Sequence, residues 1–388
     1  MKTNAFMMLI PQFIDVGISC KTGEKLKELG CTKVLVMYDK GVEAAGITEK
    51  IINAIRHEGI EVVTSNKVEA DPTDLIITEI GDFAKKEKVD GVVAIGGGSS
   101  IDAGKAVKLL LNNDEPLQSF YDLSFPQKSG VPMIAIPTTS GTGSEASKGS
   151  VITDTESGSK RVVIGMGTMP DMALIDPELV LGVPPKVTAA CAFDVLAHAI
   201  DAITSNMTNL ITQSISCEAI RLMKNSYKKV IEKGNDLEAR TEMHLASNLG
   251  GIALANAKCS MSHAFAHSMG AIFHVPHGVS CAIFTPACLE FVVEECPKEI
   301  IKIADLLDVN YKDTDSTESI AKKTSETIHE MYRSVGIPDI TEFVPDKQVA
   351  YEKIIPLAFK DIMVNFCPRK LDDDGAKWII DRTYELAE

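Results

Sequence analysis

Residues 91–102 read GVVAIGGGSSID, and this stretch decides the fold class. Its first five residues are an apolar, β-branched run typical of a buried strand, and the glycines that follow lead into a predicted helix over 103–111. Two earlier β-branched runs, at 34–38 and 61–64, are each followed by a stretch with helical periodicity. This alternation predicts a parallel sheet with helices on both faces.

The same reasoning extends along the first half of the chain. We predict helices over 41–57 and from Pro72 to about Lys88, with Asp71 as the N-cap of the second. Further short strands are predicted at 133–136, 151–153, 162–164 and 173–175.

The pattern changes near residue 182, within the sequence LGVPP. Beyond it, helical periodicity dominates to the C-terminus. We therefore predict two domains, an α/β domain over residues 1–182 and an all-helical domain over residues 183–388. The predicted helices of the second domain include 187–205, 211–233, 237–257 and 316–335.

Composition excludes some classes of protein. The 388 residues carry 39 Lys and Arg against 54 Asp and Glu, a net charge of −15 that argues against a nucleic-acid binder. No run approaches 18 consecutive apolar residues, and the N-terminus lacks a signal-peptide pattern, so we expect no membrane association. The nine Cys form no C-x-x-C pair, which favours reduced thiols and a cytoplasmic location.

Two glycine-rich loops follow predicted strands. Gly96-Gly97-Gly98-Ser99 lets the backbone approach a ligand, and the helix that follows can bind a diphosphate at its N-terminus. The second loop, residues 137–145, reads PTTSGTGSE and is also rich in hydroxyls. Two such loops at one sheet edge predict a site for an elongated phosphate ligand, although either one alone is also typical of a structural turn.

Asp39 ends the first strong strand. A carboxylate in this place can accept hydrogen bonds from a ribose and repel a 2′-phosphate, which favours NAD over NADP. A helix cap is an equally good interpretation of a lone Asp at a turn.

Four of the eight His fall within fifteen residues, at 263, 267, 274 and 277. His263 and His267 share one helical face, as do Asp194 and His198 upstream. Three imidazoles and one carboxylate suit a divalent transition metal such as Fe²⁺ or Zn²⁺. Spacing alone does not say which of the clustered His bind it, and the upstream pair could also be a surface helix pair.

Taken together, these motifs resemble the iron-containing (group III) alcohol dehydrogenase family over nearly the whole chain. The ordered motifs are Gly96-Gly97-Gly98-Ser99-x-x-Asp102, Pro137-Thr138-Thr139-x-Gly141-Thr142-Gly143-Ser144-Glu145, Asp176-Pro177-Glu178, Asp194-x-x-x-His198, and His263-x-x-x-His267 with Pro276-His277-Gly278. Ala192 and Asp201 depart mildly from the family pattern, where Gly and Glu are common.

The resemblance implies roles for individual residues. The implied metal ligands are Asp194, His198, His263 and His277. The implied cofactor-binding residues are Asp39, Gly97, Gly98, Ser99, Asp102, Thr138, Thr139, Thr142 and Lys160. His267 is implied to lie near the metal and the nicotinamide without being a ligand, and we expect it to relay the proton; a purely structural role, one turn from His263, is the alternative. We expect His274 to be a packed or supporting histidine.

The fold implied by the resemblance is an NAD-binding α/β domain with a parallel sheet followed by an all-helical metal-binding domain. The implied activity is NAD-dependent alcohol dehydrogenase or aldehyde reductase, with Fe²⁺ or Zn²⁺, acting on a small alcohol or aldehyde, in a homodimer or larger homo-oligomer. Three alternatives stay open: another enzyme of the same fold, such as a glycerol dehydrogenase or a dehydroquinate-synthase-like lyase, a non-catalytic NAD-binding protein, and a metal-dependent hydrolase. The motifs do not identify the substrate.

Overall fold

The computed structural model describes residues 5–388, which divide into two compact units. One unit comprises residues 8–183, and the other comprises residues 184–388 together with residues 5–7.

The first unit is built on a parallel sheet. Its strands are β1 (Gln12–Ile14), β2 (Lys33–Asp39), β3 (Glu61–Val68), β4 (Gly91–Gly96), β5 (Met133–Pro137), β6 (Gly149–Asp154), β7 (Ser159–Ile164) and β8 (Met172–Ile175). Six of them pair in parallel in the order β1-β8-β5-β4-β2-β3, and β6 pairs with β7 as a separate antiparallel hairpin. Every residue of β4 and β5 is buried, as expected for central strands. The predicted parallel sheet is confirmed.

Helices cover both faces of this sheet. They are α1 (Thr22–Glu28), α2 (Lys40–Ala44), α3 (Ile47–His57), α4 (Asp74–Glu87) and α5 (Gly98–Asn112). Separate apolar clusters form the two faces, one centred on Leu35 and Val92 and the other on Val34 and Val93. Successive strand residues therefore point to opposite faces of the sheet.

Three predicted helix boundaries are wrong. The single helix predicted over 41–57 is two helices, because Gly46 adopts a left-handed φ of 71° between them. Thr73, and not Asp71, is the N-cap of α4. Pro72 lies outside the helix, and its carbonyl accepts a hydrogen bond from Thr153 N of strand β6. Helix α5 begins at Gly98 and not at 103, which places the glycine-rich segment in its first turn.

The second unit is helical throughout its regular structure. Its helices are α6 (Pro185–Thr204), α7 (Leu210–Glu232), α8 (Leu237–Ala257), α9 (Met261–Phe273), α10 (His277–Phe291), α11 (Pro297–Leu306), α12 (Thr317–Arg333), α13 (Ile340–Phe343), α14 (Lys347–Ala358) and α15 (Asp373–Leu386). They enclose one large apolar cluster. The predicted all-helical architecture is confirmed.

Helix α6 occupies the interior of this unit. By length and composition it is the one helix among residues 5–388 that could cross a membrane, yet 83% of its apolar window is buried inside the protein. A core helix of a folded domain has these properties, and α6 also carries Asp194, His198 and Asp201 on its buried surface.

Candidate metal centre and nucleotide-binding loops

Three helices of the second unit bring four ligand atoms together. Helix α6 supplies Asp194 and His198 one turn apart, α9 supplies His263, and His277 is the first residue of α10. The Oδ1 atom of Asp194 lies 3.5, 3.7 and 3.4 Å from the Nε2 atoms of His198, His263 and His277. All four ligand atoms lie within 4.8 Å of one another.

These distances fit a shared divalent cation. Ligand atoms about 2.0–2.2 Å from one ion in tetrahedral geometry stand about 3.4 Å apart. Asp194 Oδ1 and His263 Nε2 are buried and have no hydrogen-bond partner in the described part of the chain. A cation would satisfy both atoms, whose burial is otherwise costly.

The protonation states of the four candidate ligands depend on one another. Burial alone would raise the pKa of the Asp194 carboxyl, but the surrounding imidazoles of His198 and His277 hold that pKa well below its ordinary value. Burial lowers the pKa of His198 to about 4. Although burial opposes it, the neighbouring thiols and the Asp194 carboxylate raise the pKa values of His263 and His277 well above their ordinary value, so a metal that binds these two imidazoles displaces their protons.

Asp201 forms a hydrogen bond with the His263 nitrogen that does not face Asp194. It lies seven residues after Asp194 on α6, and its Oδ2 accepts hydrogen bonds from His263 Nδ1 at 2.8 Å and Ser260 N at 2.7 Å. This contact assigns the proton of His263 to Nδ1 and leaves the Nε2 lone pair toward Asp194. Sequence reasoning missed this role of Asp201, although its helical spacing from Asp194 puts both residues on the same face of α6.

His267 stands apart from the four ligand atoms. Its Nδ1 lies 2.7 Å from Asp361 Oδ2, and the other oxygen of Asp361 accepts from Met363 N at 2.8 Å. The ring stacks on His277 with centroids 5.3 Å apart, and one third of its side chain is exposed. Burial lowers the pKa of His267, partly offset by Asp361.

Sequence reasoning missed Asp361. It lies 94 residues beyond His267, so no spacing pattern links the two. The expectation for His274 is wrong: it is exposed and ends α9 with a left-handed φ of 54°, so its role is that of a helix terminus.

In the first unit, the two polar loops lie side by side. Strands β4 and β5 are neighbours, and Thr138 N donates to Gly96 O at 3.0 Å. A Cβ atom on Gly98 would stand 2.7 Å from Thr142 Cγ2, and one on Gly97 would stand 3.1 Å from Thr139 Oγ1. The absence of side chains at both glycines is therefore what allows the loops to approach each other.

Gly97 is the N-cap residue of α5, and Ser99 lies in the first turn. The free N–H groups of this turn point out at the carboxyl edge of the sheet, where parallel α/β folds bind ligands. The structure thus gathers Gly97, Gly98, Ser99 and the three threonines at one place that suits a diphosphate.

Asp39 lies at the same edge, since β2 is the neighbour of β4. Its Oδ1 caps α2 by accepting from Val42 N at 3.0 Å, and its Oδ2 accepts from Ser100 Oγ at 3.3 Å. The helix-cap interpretation of Asp39 is confirmed, and the residue also stands beside the glycine-rich turn; its contact with a ribose stays a prediction.

Lys160 reaches this region from the β6–β7 hairpin. It pairs with the carboxylate of Asp71, whose backbone N donates to Ser99 Oγ at 3.4 Å. Asp71 has a left-handed φ of 54°, so the chain turns sharply where the pair forms. Lys160 is thereby held near the first loop.

Asp102 turns its carboxylate into the protein. Its Oδ1 accepts from Lys105 Nζ at 3.1 Å and from Ser144 Oγ, and its Oδ2 accepts from Val151 N at 2.8 Å. The Lys105 side chain is fully buried and also donates to Gly149 O at 2.6 Å. These hydrogen bonds connect α5 to the second loop and to the β6–β7 hairpin.

Comparison with known proteins gives matches along nearly the whole chain. Residues 13–177 match the sequence profile described as iron-containing alcohol dehydrogenase, and residues 188–384 match that of the Fe-containing alcohol dehydrogenase family, C-terminal. The chain is 32% identical to choline dehydrogenase of Bacillus subtilis (strain 168), over 97% of this chain and 94% of that one. It is 31% identical to NAD-dependent methanol dehydrogenase of Bacillus methanolicus, over 92% and 93%.

Among solved structures, 1,3-propanediol oxidoreductase superposes with a TM-score of 0.94 at 29% identity, covering 98% of this chain and all of that one. The resemblance noted from the motifs is confirmed. These matches support the alcohol oxidoreductase prediction over its alternatives.

Proposed function

Because this chain belongs to the iron-containing alcohol dehydrogenase family, we propose that it transfers a hydride between NAD(H) and a small primary alcohol or the corresponding aldehyde. Family membership makes it a metal-dependent alcohol oxidoreductase. The observation that carries the proposal is Asp194 Oδ1, which is buried, has no hydrogen-bond partner among residues 5–388 and faces three imidazole nitrogens.

The proposed metal-binding domain is residues 183–388, with Asp194, His198, His263 and His277 as ligands of Fe²⁺, or of Zn²⁺, which accepts the same set. When bound, the ion supplies a Lewis acid at the substrate oxygen. The chain contributes the rigid frame: three packed helices hold the four residues, and Asp201 orients His263.

The proposed NAD-binding domain is residues 1–182. NAD supplies the hydride acceptor. The methanol dehydrogenase relative is named as an NAD-dependent enzyme, which supports this choice of cofactor. We assign the diphosphate to Gly97, Gly98 and Ser99 and the second loop to Thr138, Thr139 and Thr142, with Asp102 bracing both loops. Asp39 and Lys160 are assigned to the ribose, and the Asp39 carboxylate excludes a 2′-phosphate.

We assign proton transfer to His267. Asp361 holds the Nδ1–H of His267, so its Nε2 is the nitrogen that can exchange a proton with the substrate oxygen. The exposed third of the ring gives that proton a route to solvent. A neutral imidazole, favoured by burial, is the form that accepts a proton from an alcohol.

The substrate class follows from the relatives. The three relatives are named for methanol, choline and 1,3-propanediol, each of which carries a primary hydroxyl. Their other groups differ in size and charge, so we propose a primary alcohol or aldehyde and assign no particular one.

We also propose a homodimer or larger homo-oligomer in the cytoplasm. Strand β1 is an edge of the sheet, and the apolar residues Met8, Leu9, Ile14 and Val16 around it are exposed, which favours pairing with another chain. All nine Cys are free thiols, which suits a reducing compartment.

Metal content and NADH-dependent aldehyde reduction of Asp194→Ala test the proposal. We expect the variant to lose both the bound ion and turnover, whereas Asp308→Ala, which changes an exposed carboxylate, retains both. Full turnover in metal-free protein would overturn the proposal.

A further inference from the structure

A short 3₁₀ helix carries the carboxylate that holds His267. This helix, the 362–366 turn, spans Ile362–Phe366, and Asp361 is its N-cap residue. Asp361 Oδ1 accepts a hydrogen bond from Met363 N at 2.8 Å, and its Oδ2 lies 2.7 Å from His267 Nδ1. One carboxylate therefore joins the start of the turn to the imidazole, so the position of the turn decides the orientation of the ring.

Apolar packing gives this turn little support. None of its five residues is buried, and the side chain of Ile362 is 49% exposed. Val364 packs against the large apolar cluster of the second unit as a half-buried side chain. A segment with so little buried apolar surface opens at low cost unless hydrogen bonds hold its ends.

Asn206 supplies hydrogen bonds at the carboxyl end of the turn. Its backbone N donates to Phe366 O at 2.9 Å, and its side-chain Nδ2 donates to Asn365 O at 2.9 Å and to Cys367 O at 3.5 Å. Both acceptors of the side chain are carbonyl oxygens, and an amide NH₂ group has the two donors that they require. The side chain of Asn206 is therefore matched to the end of the turn by its chemistry.

Asn206 is itself held in a fixed place. The preceding residue, Ser205, is buried, and its backbone N donates to Asp201 O of α6 at 2.8 Å. Ser205 Oγ donates to Ala257 O, at the end of α8, at 2.6 Å. The helix that carries two of the candidate metal ligands thus also fixes, through Asn206, the turn that holds His267.

We propose that Asn206 is a positioning residue for proton transfer by His267, and that it acts through the 362–366 turn and Asp361. The inference rests on the proposed function, which assigns the proton to His267. Without its side-chain donor, Asn206 holds the turn by one backbone hydrogen bond, and the Asp361 carboxylate is less firmly placed. A displacement of about 1 Å at a reacting group can cost about 100-fold in rate.

Asn206→Asp tests the proposal, because it keeps the size of the side chain and replaces the donor by an oxygen that faces two carbonyl oxygens. We expect kcat for NADH-dependent reduction of a short aldehyde by the zinc-loaded protein to fall at least about tenfold. The KM for NADH and the Kd for Zn²⁺ should stay unchanged. Hydrogen exchange followed by mass spectrometry should be faster in peptides that cover residues 359–367. Asn206→Ala, which loses the donor without adding repulsion, should show a smaller change of the same kind.

Asn209→Asp is the matched control. Asn209 lies three residues further along, and its Oδ1 caps α7 by accepting from Ile211 N and Thr212 N, both at 3.0 Å. Aspartate caps a helix as well as asparagine does, so this variant adds the same charge to the same loop and keeps its hydrogen bonds. It should retain the kcat and the exchange rates of the unmodified protein.

A double-mutant cycle separates action through Asp361 from an independent effect. In an Asp361→Asn background, Asn206→Asp should lower kcat by less than about twofold further. A full further loss in that background, an equal loss in Asn209→Asp, or an unchanged kcat in folded Asn206→Asp or Asn206→Ala would overturn the inference and leave the proposed function standing. No metal-dependent turnover in the unmodified protein would overturn both.

Discussion

The contact between Asp201 and His263 predicts a specific loss of metal affinity in Asp201→Asn. The Asp201 carboxylate is buried and accepts from both His263 Nδ1 and Ser260 N. Asparagine keeps an acceptor oxygen and nearly the same volume, so the substitution removes mainly the negative charge. Without that charge His263 Nε2 is a weaker ligand.

Replacing a residue that supports a metal ligand typically costs 10- to 100-fold in affinity. For Asp201→Asn we therefore expect a rise in the Zn²⁺ dissociation constant of this size, or about 1.4–2.7 kcal/mol. The assay is competition between the metal-free protein and a fluorescent chelator, with circular dichroism to establish that the variant is folded.

Asp361→Asn is the matched control, because it changes the same kind of carboxylate–histidine contact at a histidine outside the four-ligand cluster. We expect it to leave Zn²⁺ affinity unchanged and to lower kcat. Equal affinity in Asp201→Asn and the unmodified protein would refute the reasoning, as would an equal loss in both variants.

Three further predictions concern the first unit. In Gly98→Ala the new Cβ would lie 2.7 Å from Thr142 Cγ2, so the second loop must move away from the first. If this overpacking costs about 1–3 kcal/mol of binding free energy, the Kd for NADH should rise about 5- to 150-fold. Gly182→Ala is the control, because a Cβ there meets no atom of residues 5–388 within 4 Å, and calorimetry should give it the Kd for NADH of the unmodified protein. Equal Kd values for Gly98→Ala and the unmodified protein would contradict the predicted overpacking. Asp39→Ser retains a capping hydroxyl but no charge, so the ratio of kcat/KM for NADH over NADPH should fall, and an unchanged ratio would rule out a selecting role. Lys105→Met leaves Asp102 without its buried partner, so urea unfolding should show a loss of about 3–5 kcal/mol, and a loss within experimental error would argue against the network.

Local patterns predicted much of this fold. The helix over Leu237–Ala257 begins and ends where helical periodicity placed it, and β4 extends only one residue beyond its prediction. Strand β1 was not predicted, because a strand of three residues is too short to show an alternation of apolar and polar side chains. The pairing of β6 with β7 outside the main sheet depends on tertiary contacts that no local run of residues records.

Some residues of the candidate site could likewise be predicted from local spacing and others could not. The spacing of Asp194 and His198, one helical turn apart, predicts that they share a helical face, and the same holds for His263 and His267. Asp361 was beyond such reasoning because only the folded chain brings it to His267.

The proposed reaction is a metal-dependent transfer of hydride from NADH to a small aldehyde. The most direct test is NADH consumption with a panel of short aldehydes, by protein reloaded with Fe²⁺ or Zn²⁺ and by chelated protein, with NADPH in parallel. We expect turnover only in the reloaded protein and a clear preference for NADH. Turnover that survives chelation, or none on any aldehyde despite bound metal and NAD, would contradict the account.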